Sequence, residues 1–154
     1  MIKLSKVNKV EFDKYLDFLI SDHAQEIIKN FNLTMEQALE ESEMMINDMF
    51  KDGVSTEGQY LYNIEDVNSN QKVGILWYSI IPEINQAYLY HILIDESHRG
   101  KGYGRKSLEK LQSKLKEYGV ISIGLSVFGS NEGAYRLYKT LGYSTTRISM
   151  EKVL

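Results

Sequence analysis

Between residues 99 and 116 the chain carries seven basic side chains against one acid, Glu109. Four of the seven, Arg99, Lys101, Arg105 and Lys106, crowd one turn that also holds Gly100, Gly102 and Gly104. An apolar run ending at Ile94 leads into the turn. Leu108, Leu111, Leu115 and Tyr118 follow it at the spacing of one helix face. A glycine-rich turn at a helix start presents backbone N–H groups at the positive end of the helix dipole, an arrangement that holds phosphate oxygens. Cations in the first turn of a helix oppose its dipole, so this cluster makes sense around an anion. The dinucleotide fingerprint Gly-x-Gly-x-x-Gly fails from Gly100, where its third glycine is Arg105, and from Gly102, where it is Ser107. The Walker loop fails because Arg105 precedes Lys106-Ser107 where that motif needs glycine. What remains is Arg99-x-x-Gly102-x-Gly104, with Gly100, Lys101, Tyr103 and Arg105 in and beside it.

A second pattern lies further along: Asn131-Glu132-Gly133-Ala134-Tyr135-Arg136-Leu137-Tyr138-Lys139-Thr140-Leu141-Gly142-Tyr143. It reads as a short helix with Asn131 as N-cap, an apolar face of Ala134, Leu137, Tyr138 and Leu141, and Gly142 at the left-handed C′ position. Together the two patterns resemble the pyrophosphate loop and the Asn-x-x-Ala-x-x-Leu-Tyr signature of the GNAT superfamily of N-acetyltransferases, in the family's order and with a strand between them. The whole length looks like one small bacterial-type member, with the specific motifs between residues 86 and 143.

The resemblance implies an acyltransferase that moves acetyl from acetyl-CoA to a primary amine by direct attack in a ternary complex. Its pyrophosphate would lie on Arg99, Gly100, Lys101, Gly102, Tyr103, Gly104 and Arg105. The family carries a bulge on the strand before this loop, whose N–H groups face the acetyl carbonyl and the pantetheine arm. Aligned by the glycines, they fall at Ile92, Leu93 and Ile94, with Ile92 at the carbonyl. Tyr138 aligns with the tyrosine that protonates the leaving thiolate. Asn131 either bonds the pantetheine arm or only caps its helix. The reaction also needs the amine freed of its proton. Some members use a glutamate on the strand before the loop, and Tyr88-Leu89-Tyr90-His91 has none. His91 is the candidate base, since an unperturbed imidazole titrates near neutrality; strand alternation also allows it a core position. Tyr88 and Tyr90 are the alternatives. His23 reads as a surface histidine and His98 as part of the glycine turn. Three histidines without metal-like spacing, and no cysteine, point to no metal. A CoA-binding sensor that has lost catalysis is the other reading of the same fold, and retention of Tyr138 argues against it.

The elements that must position these residues follow from periodicity. Residues 2–7 alternate as a strand; Phe12, Tyr15, Leu16 and Leu19 mark a helix. Thr34 and Gln37 form a capping-box pair that opens a second helix, expected to stop near Asp52-Gly53. Residues 59–66, 72–81 and 86–94 read as strands, the first two joined by Asn68-Ser69-Asn70. A strand over 121–127 and a final pair over 143–146 and 147–153 complete the order β-α-α-β-β-β-α-β-α-β-β. The fold class expected is α/β (α+β): a mixed, mostly antiparallel sheet of about seven strands with helices on both faces, in one domain spanning 1–154.

Composition sets the remaining bounds. At 154 residues a single domain buries roughly 70% of its unfolded surface, and 43% hydrophobic with 25% charged residues is ordinary for a globular chain. A net charge of −3 speaks against nucleic-acid partners. No run approaches a membrane span or a signal peptide, and a cysteine-free chain suits a cytoplasmic location. Nine acids against one base between residues 34 and 66 suit a cationic amine, or a solvated helix face. The acceptor is a small-molecule amine or a protein or peptide amino group; a homodimer is compatible, as similar proteins are often dimers.

Overall fold

Five strands form one sheet in chain order. β1 (Ile2–Lys6), β2 (Gln59–Asp66), β3 (Gln71–Ile81) and β4 (Gln86–Ile94) pair antiparallel, and β5 (Ser122–Leu125) joins β4 in parallel. The helices are α1 (Lys9–Asn30), α2 (Met35–Met49), α3 (Tyr103–Glu117) and α4 (Glu132–Thr140). The computed structural model describes Met1–Leu154, which gather into two compact units, Met1–Phe12 with Asp52–Ser126 and Asp13–Lys51 with Val127–Leu154. No helix is long and apolar enough to cross a membrane.

The first unit is built around β3. Val73, Ile75, Leu76, Trp77 and Tyr78 are all buried instead of alternating, as expected of a strand covered on both faces. On one face α3 buries Ser107, Leu108, Leu111 and Leu115. Its Lys114 stands 4.1 Å over the Tyr62 ring and donates to the Tyr62 hydroxyl at 3.0 Å. Tyr60 and Tyr62 in turn stack on Tyr78. Burying each such leucine stabilises by about 1.5–3 kcal/mol. On the other face Glu11, in the first turn of α1, accepts from Asn63 Nδ2 at 2.8 Å. Gly74 sits where the β2–β3 register slips. A Cβ there would overlap the Leu93 carbonyl oxygen and stand 3.2 Å from Ile94 Cα, so only glycine lets β3 approach β4 this closely.

The second unit is held by helix termini. Asn30, at the end of α1, accepts from the Ser130 amide at 3.1 Å and donates to the Ser130 hydroxyl at 2.9 Å, which ties down the turn before α4. Ala24, Ile27 and Ala38 are buried with Leu33 and Phe128 against them. The Thr34–Gln37 capping box opens α2, with Gln37 N–H to Thr34 Oγ1 at 3.2 Å and Thr34 N–H to Gln37 Oε1 at 3.0 Å. The helix ends at Met49 with Phe50 as its cap, short of the expected Asp52-Gly53. The acids of α2, Glu36, Glu40, Glu41, Glu43 and Asp48, are exposed.

Two expectations are corrected. The sheet has five strands, not about seven, because residues 143–154 form no strand. Thr145, Thr146, Ile148 and Val153 carry β propensity, but propensity describes how a side chain fits a sheet and does not supply a partner edge; Ile148 and Val153 are exposed. β5 is shorter than 121–127 for the same reason: β4 offers it only Gln86 to Leu89.

Candidate active site

Strand β4 changes partners along its length. From Gln86 to Leu89 it is paired on both sides, to β3 and to β5. At Tyr90 the β3 register slips by one residue, since Trp77 faces His91 while Tyr78 faces Leu89. An extra residue of this kind is a β-bulge, which bends its strand and increases the local twist. Beyond the bulge β5 no longer pairs with β4. Ile92, Leu93 and Ile94 are accordingly only half-buried, although the strand is apolar.

The antiparallel ladder decides which peptide groups line the parted edge. The Asp95 amide donates to the Val73 carbonyl at 2.9 Å. Hydrogen-bonded and non-hydrogen-bonded pairs alternate along such a ladder. Leu93 and His91 therefore direct their peptide groups to β3, and Ile92 and Ile94 direct theirs away from it. The Ile94 carbonyl shows this, accepting from Arg99 Nε at 2.9 Å. Leu93 thus has its N–H turned into the ladder, while Ile92 and Ile94 present theirs to the opening.

The parted edge runs into the basic turn. Gly100 and Gly102 have φ +74° and +82°, left-handed backbone that glycine adopts without strain. Gly102 is the N-cap of α3 and has no side chain with which to cap it. The first-turn N–H groups of an α-helix lack intrahelical acceptors, so here they are offered to whatever lies outside. A Cβ at Gly100 or Gly102 would meet no protein atom within 4 Å. The glycines are therefore required by the left-handed backbone and not by packing, and the space beside the N–H donors and cations is open. Lys101 Nζ donates to the Ser97 carbonyl at 3.1 Å, Arg105 pairs with Glu109 at 3.7 Å, and Lys106 stands 5.7 Å over the Tyr103 ring. Neutral donors and fixed cations around open space fit a pyrophosphate.

One support of this turn escaped the sequence reading. Tyr103, the first residue of α3, donates its hydroxyl to Asp66 Oδ2 at 3.3 Å, 37 residues away. The Ser69 hydroxyl, then the Asn68 amide and Tyr103, hold the Asp66 carboxyl below its usual range against the cost of its burial. The Tyr103 phenol is pushed up, first by burial and then by Asp66. The β2–β3 turn thus braces the start of α3. An acid followed by Asn68-Ser69 was the local half of the signal; nothing in sequence spacing marks the bond to Tyr103.

The remaining expected residues fall as follows. His91 is half-buried on the sheet face of Trp77, its cross-strand partner. His98 lies in the turn, its ring edge-on to Tyr103 at 6.1 Å. In the second unit, His23 is no surface histidine: Nδ1 lies 3.0 Å from the buried Ser42 hydroxyl, and the ring packs edge-on to Phe128. Asn131 caps α4, its Oδ1 accepting from the Ala134 amide at 3.2 Å. Gly142, at φ +89°, ends the helix, with the Tyr143 amide reaching the Tyr138 carbonyl at 3.0 Å, the Schellman arrangement. Tyr138 is half-buried, and burial with the neighbouring Tyr143 pushes its phenol up to about 12.

Residues 24–143 match the Acetyltransferase (GNAT) family. The chain belongs to the GNAT family. It is 30% identical to YycN of Bacillus subtilis, an uncharacterized N-acetyltransferase, over 99% of each chain. The crystal structure of YycN superposes with a TM-score of 0.94, covering 100% of this chain and 99% of that one. A shorter match, 37% identical, covers 46% of this chain and 51% of a spermine/spermidine N(1)-acetyltransferase of B. subtilis. Another, 28% identical, covers 61% of this chain and 62% of the [ribosomal protein bS18]-alanine N-acetyltransferase of Escherichia coli. This GNAT protein is therefore an acyltransferase of mixed α/β fold, as the two motifs implied.

Proposed function

We propose that this GNAT protein transfers the acetyl group of acetyl-CoA to a primary amine by direct attack, with residues 1–154 acting as one catalytic domain. The observation that carries the reading is the course of β4: it bulges at Tyr90, parts from β5 after Leu89, turns the N–H groups of Ile92 and Ile94 to the opening, and runs into the uncapped basic start of α3. One continuous stretch thus offers a hydrogen-bonding edge for an extended amide-rich arm and, at its end, a cradle for its pyrophosphate.

The amine nitrogen attacks the thioester carbonyl, forming the C–N bond as the oxygen takes up negative charge. Ile92 N–H is the donor to that oxygen. Preorganised donors at a developing oxyanion are typically worth a factor of 10²–10³ each. The C–S bond then breaks, the nitrogen loses its extra proton, and the thiolate gains one. His91, next to Ile92 along β4, takes the proton from the amine. Tyr138 supplies a hydrogen bond and a proton to the sulfur. Ile94 and Asn131 bind the pantetheine arm, and residues 99–105 bind the pyrophosphate. Relatives named for acetylating spermine, spermidine and an alanine support an amino group as the acceptor. The test is thiol release from acetyl-CoA across a panel of small, polycationic and peptide amines. Amine-dependent release is expected. Binding of acetyl-CoA with no amine-dependent release would make the protein a CoA-binding module and refute the reading.

A further inference from the structure

Three aromatic rings stand where β4 bulges and parts from β5. Trp77 is 2% exposed, and its ring stacks on Tyr90 with centroids 4.6 Å apart and planes 23° apart. Tyr90 is 38% exposed. Tyr88 leans on Tyr90 at 4.7 Å, and its hydroxyl lies 2.5 Å from Ser126 Oγ, just past the end of β5. Gly124 makes room for it, since a Cβ there would stand 3.3 Å from the Tyr88 ring. Trp77 is fixed as well, its Nε1 donating to Gln59 Oε1 at 2.7 Å. Tyr90 is therefore an exposed ring held in place by two braced neighbours. A fixed aromatic face attracts cations through its quadrupole. Elsewhere the chain supplies such cations itself, Lys106 over Tyr103, Lys114 over Tyr62 and Lys139 over Tyr135; over Tyr90 it supplies none.

We propose that Tyr90, braced by Trp77 and by Tyr88 with Ser126, is the specificity-determining residue of the acceptor site and binds a second, non-reacting cationic group of the acceptor. The inference rests on the acetyl-transfer reading and adds the substrate class. The reacting nitrogen must be neutral to attack, so a cation held on Tyr90 is a different nitrogen of the same molecule. Tyr90 and Ile92 are two residues apart on β4, at most about 7 Å along the strand at its usual rise, and the bulge at Tyr90 shortens that span. That is the reach of a short aliphatic diamine with one end attacking the carbonyl held at the Ile92 N–H and the other on the ring.

The experiment compares kcat/KM for a terminal diaminobutane and for butylamine. The wild-type protein is expected to prefer the diamine by roughly ten-fold, as an exposed to partly desolvated cation–π contact allows. Tyr90→Phe keeps the ring and the preference; Tyr90→Leu loses it. Calorimetry with acetyl-CoA checks that each variant is folded. Because Tyr90→Leu can disturb the Trp77 stack, a second measurement uses the wild-type protein alone. Tetramethylammonium should compete with the diamine, and tert-butanol, of similar size and uncharged, should not. Equal use of diamine and monoamine, turnover of a monoamine or peptide amine without turnover of the diamine, a preference that survives Tyr90→Leu, or equal inhibition by the two probes overturns the inference and leaves acetyl transfer standing. Absence of thiol release with every amine refutes acetyl transfer itself, and this inference with it.

Discussion

Gly102 and Gly119 form a matched pair for testing the cradle. Both are left-handed, at φ +82° and +78°, and a Cβ at either would meet no protein atom within 4 Å. They sit at opposite ends of α3: Gly102 is its N-cap, and Gly119 follows its C-cap Tyr118 with the Val120 amide returning to the Leu115 carbonyl at 3.1 Å. An alanine in the left-handed region costs roughly 1–2 kcal/mol. For a chain of this size that lowers Tm by about 2–8 °C. Since the surroundings are open at both sites, the two alanine variants should lose similar stability. Their affinities for acetyl-CoA should part. On the proposed reading the Gly102→Ala methyl would stand where phosphate oxygens meet the first-turn N–H groups, and loss of one charge-assisted hydrogen bond costs about 1.5–3 kcal/mol, a factor of about 10–150 in Kd. Gly119→Ala should leave Kd within two-fold of wild type. Calorimetry with acetyl-CoA, with melting curves alongside, measures both quantities. Equal Kd values for Gly102→Ala and Gly119→Ala would refute the cradle, and a much larger Tm loss at Gly102 would show that packing, not a ligand, requires the glycine.

Three further outcomes follow from the same structure. Tyr138→Phe should lower kcat by roughly 10²–10⁴-fold, the range of a general acid, with little change in acetyl-CoA affinity; stopped assays at saturating substrates test this, and near-wild-type turnover would make Tyr138 a packing residue. Its folded-state pKa, about 12, lies above the ordinary value of 10, so the stability it contributes is present below pH 10 and lost between there and pH 12; alkaline denaturation should be shallower in Tyr138→Phe. Gly74→Ala should destabilise by about 1–3 kcal/mol, as overpacking against immovable backbone does, because its Cβ meets the Leu93 carbonyl and not a flexible side chain; a denaturation midpoint equal to wild type would show that β3 and β4 separate at little cost.

Local signals were legible wherever the cause was local. β2 and β4 begin and end where their apolar runs do, because strand bounds there coincide with turn residues. The Thr34–Gln37 box, the Asn131 cap and Gly142 at C′ are all contacts within four residues, and each is formed. The glycine turn was readable because left-handed backbone at Gly100 and Gly102 demands that residue type. What could not be read is pairing. The run from Gln86 to Ile94 looks uniform, yet only its first half pairs with β5. The parting depends on β5 ending after four residues and on the bulge at Tyr90, and both are properties of a neighbouring strand. The brace from Asp66 to Tyr103 and the ring cluster of Trp77, Tyr88 and Tyr90 are hidden for the same reason.

The raised pKa of Tyr138 changes what its chemistry has to be. A phenol near its ordinary value would already be a weaker acid than a thiol, whose reference pKa is about 8.5. With burial and then Tyr143 pushing the phenol further up, complete transfer to the thiolate alone is uphill. On the proposed reading Tyr138 therefore gives its proton to sulfur only as the nitrogen loses its own. Until then it stays protonated and would donate a hydrogen bond that strengthens as charge develops on sulfur, stabilising the transition state more than the bound thioester. The net proton must come from the nitrogen, which becomes acidic only after it has bonded to carbon. Departure of the thiolate and loss of the ammonium proton are thereby coupled. The Tyr138 phenol, with its high pKa, serves in this order of events because it does not ionise before the amine has attacked.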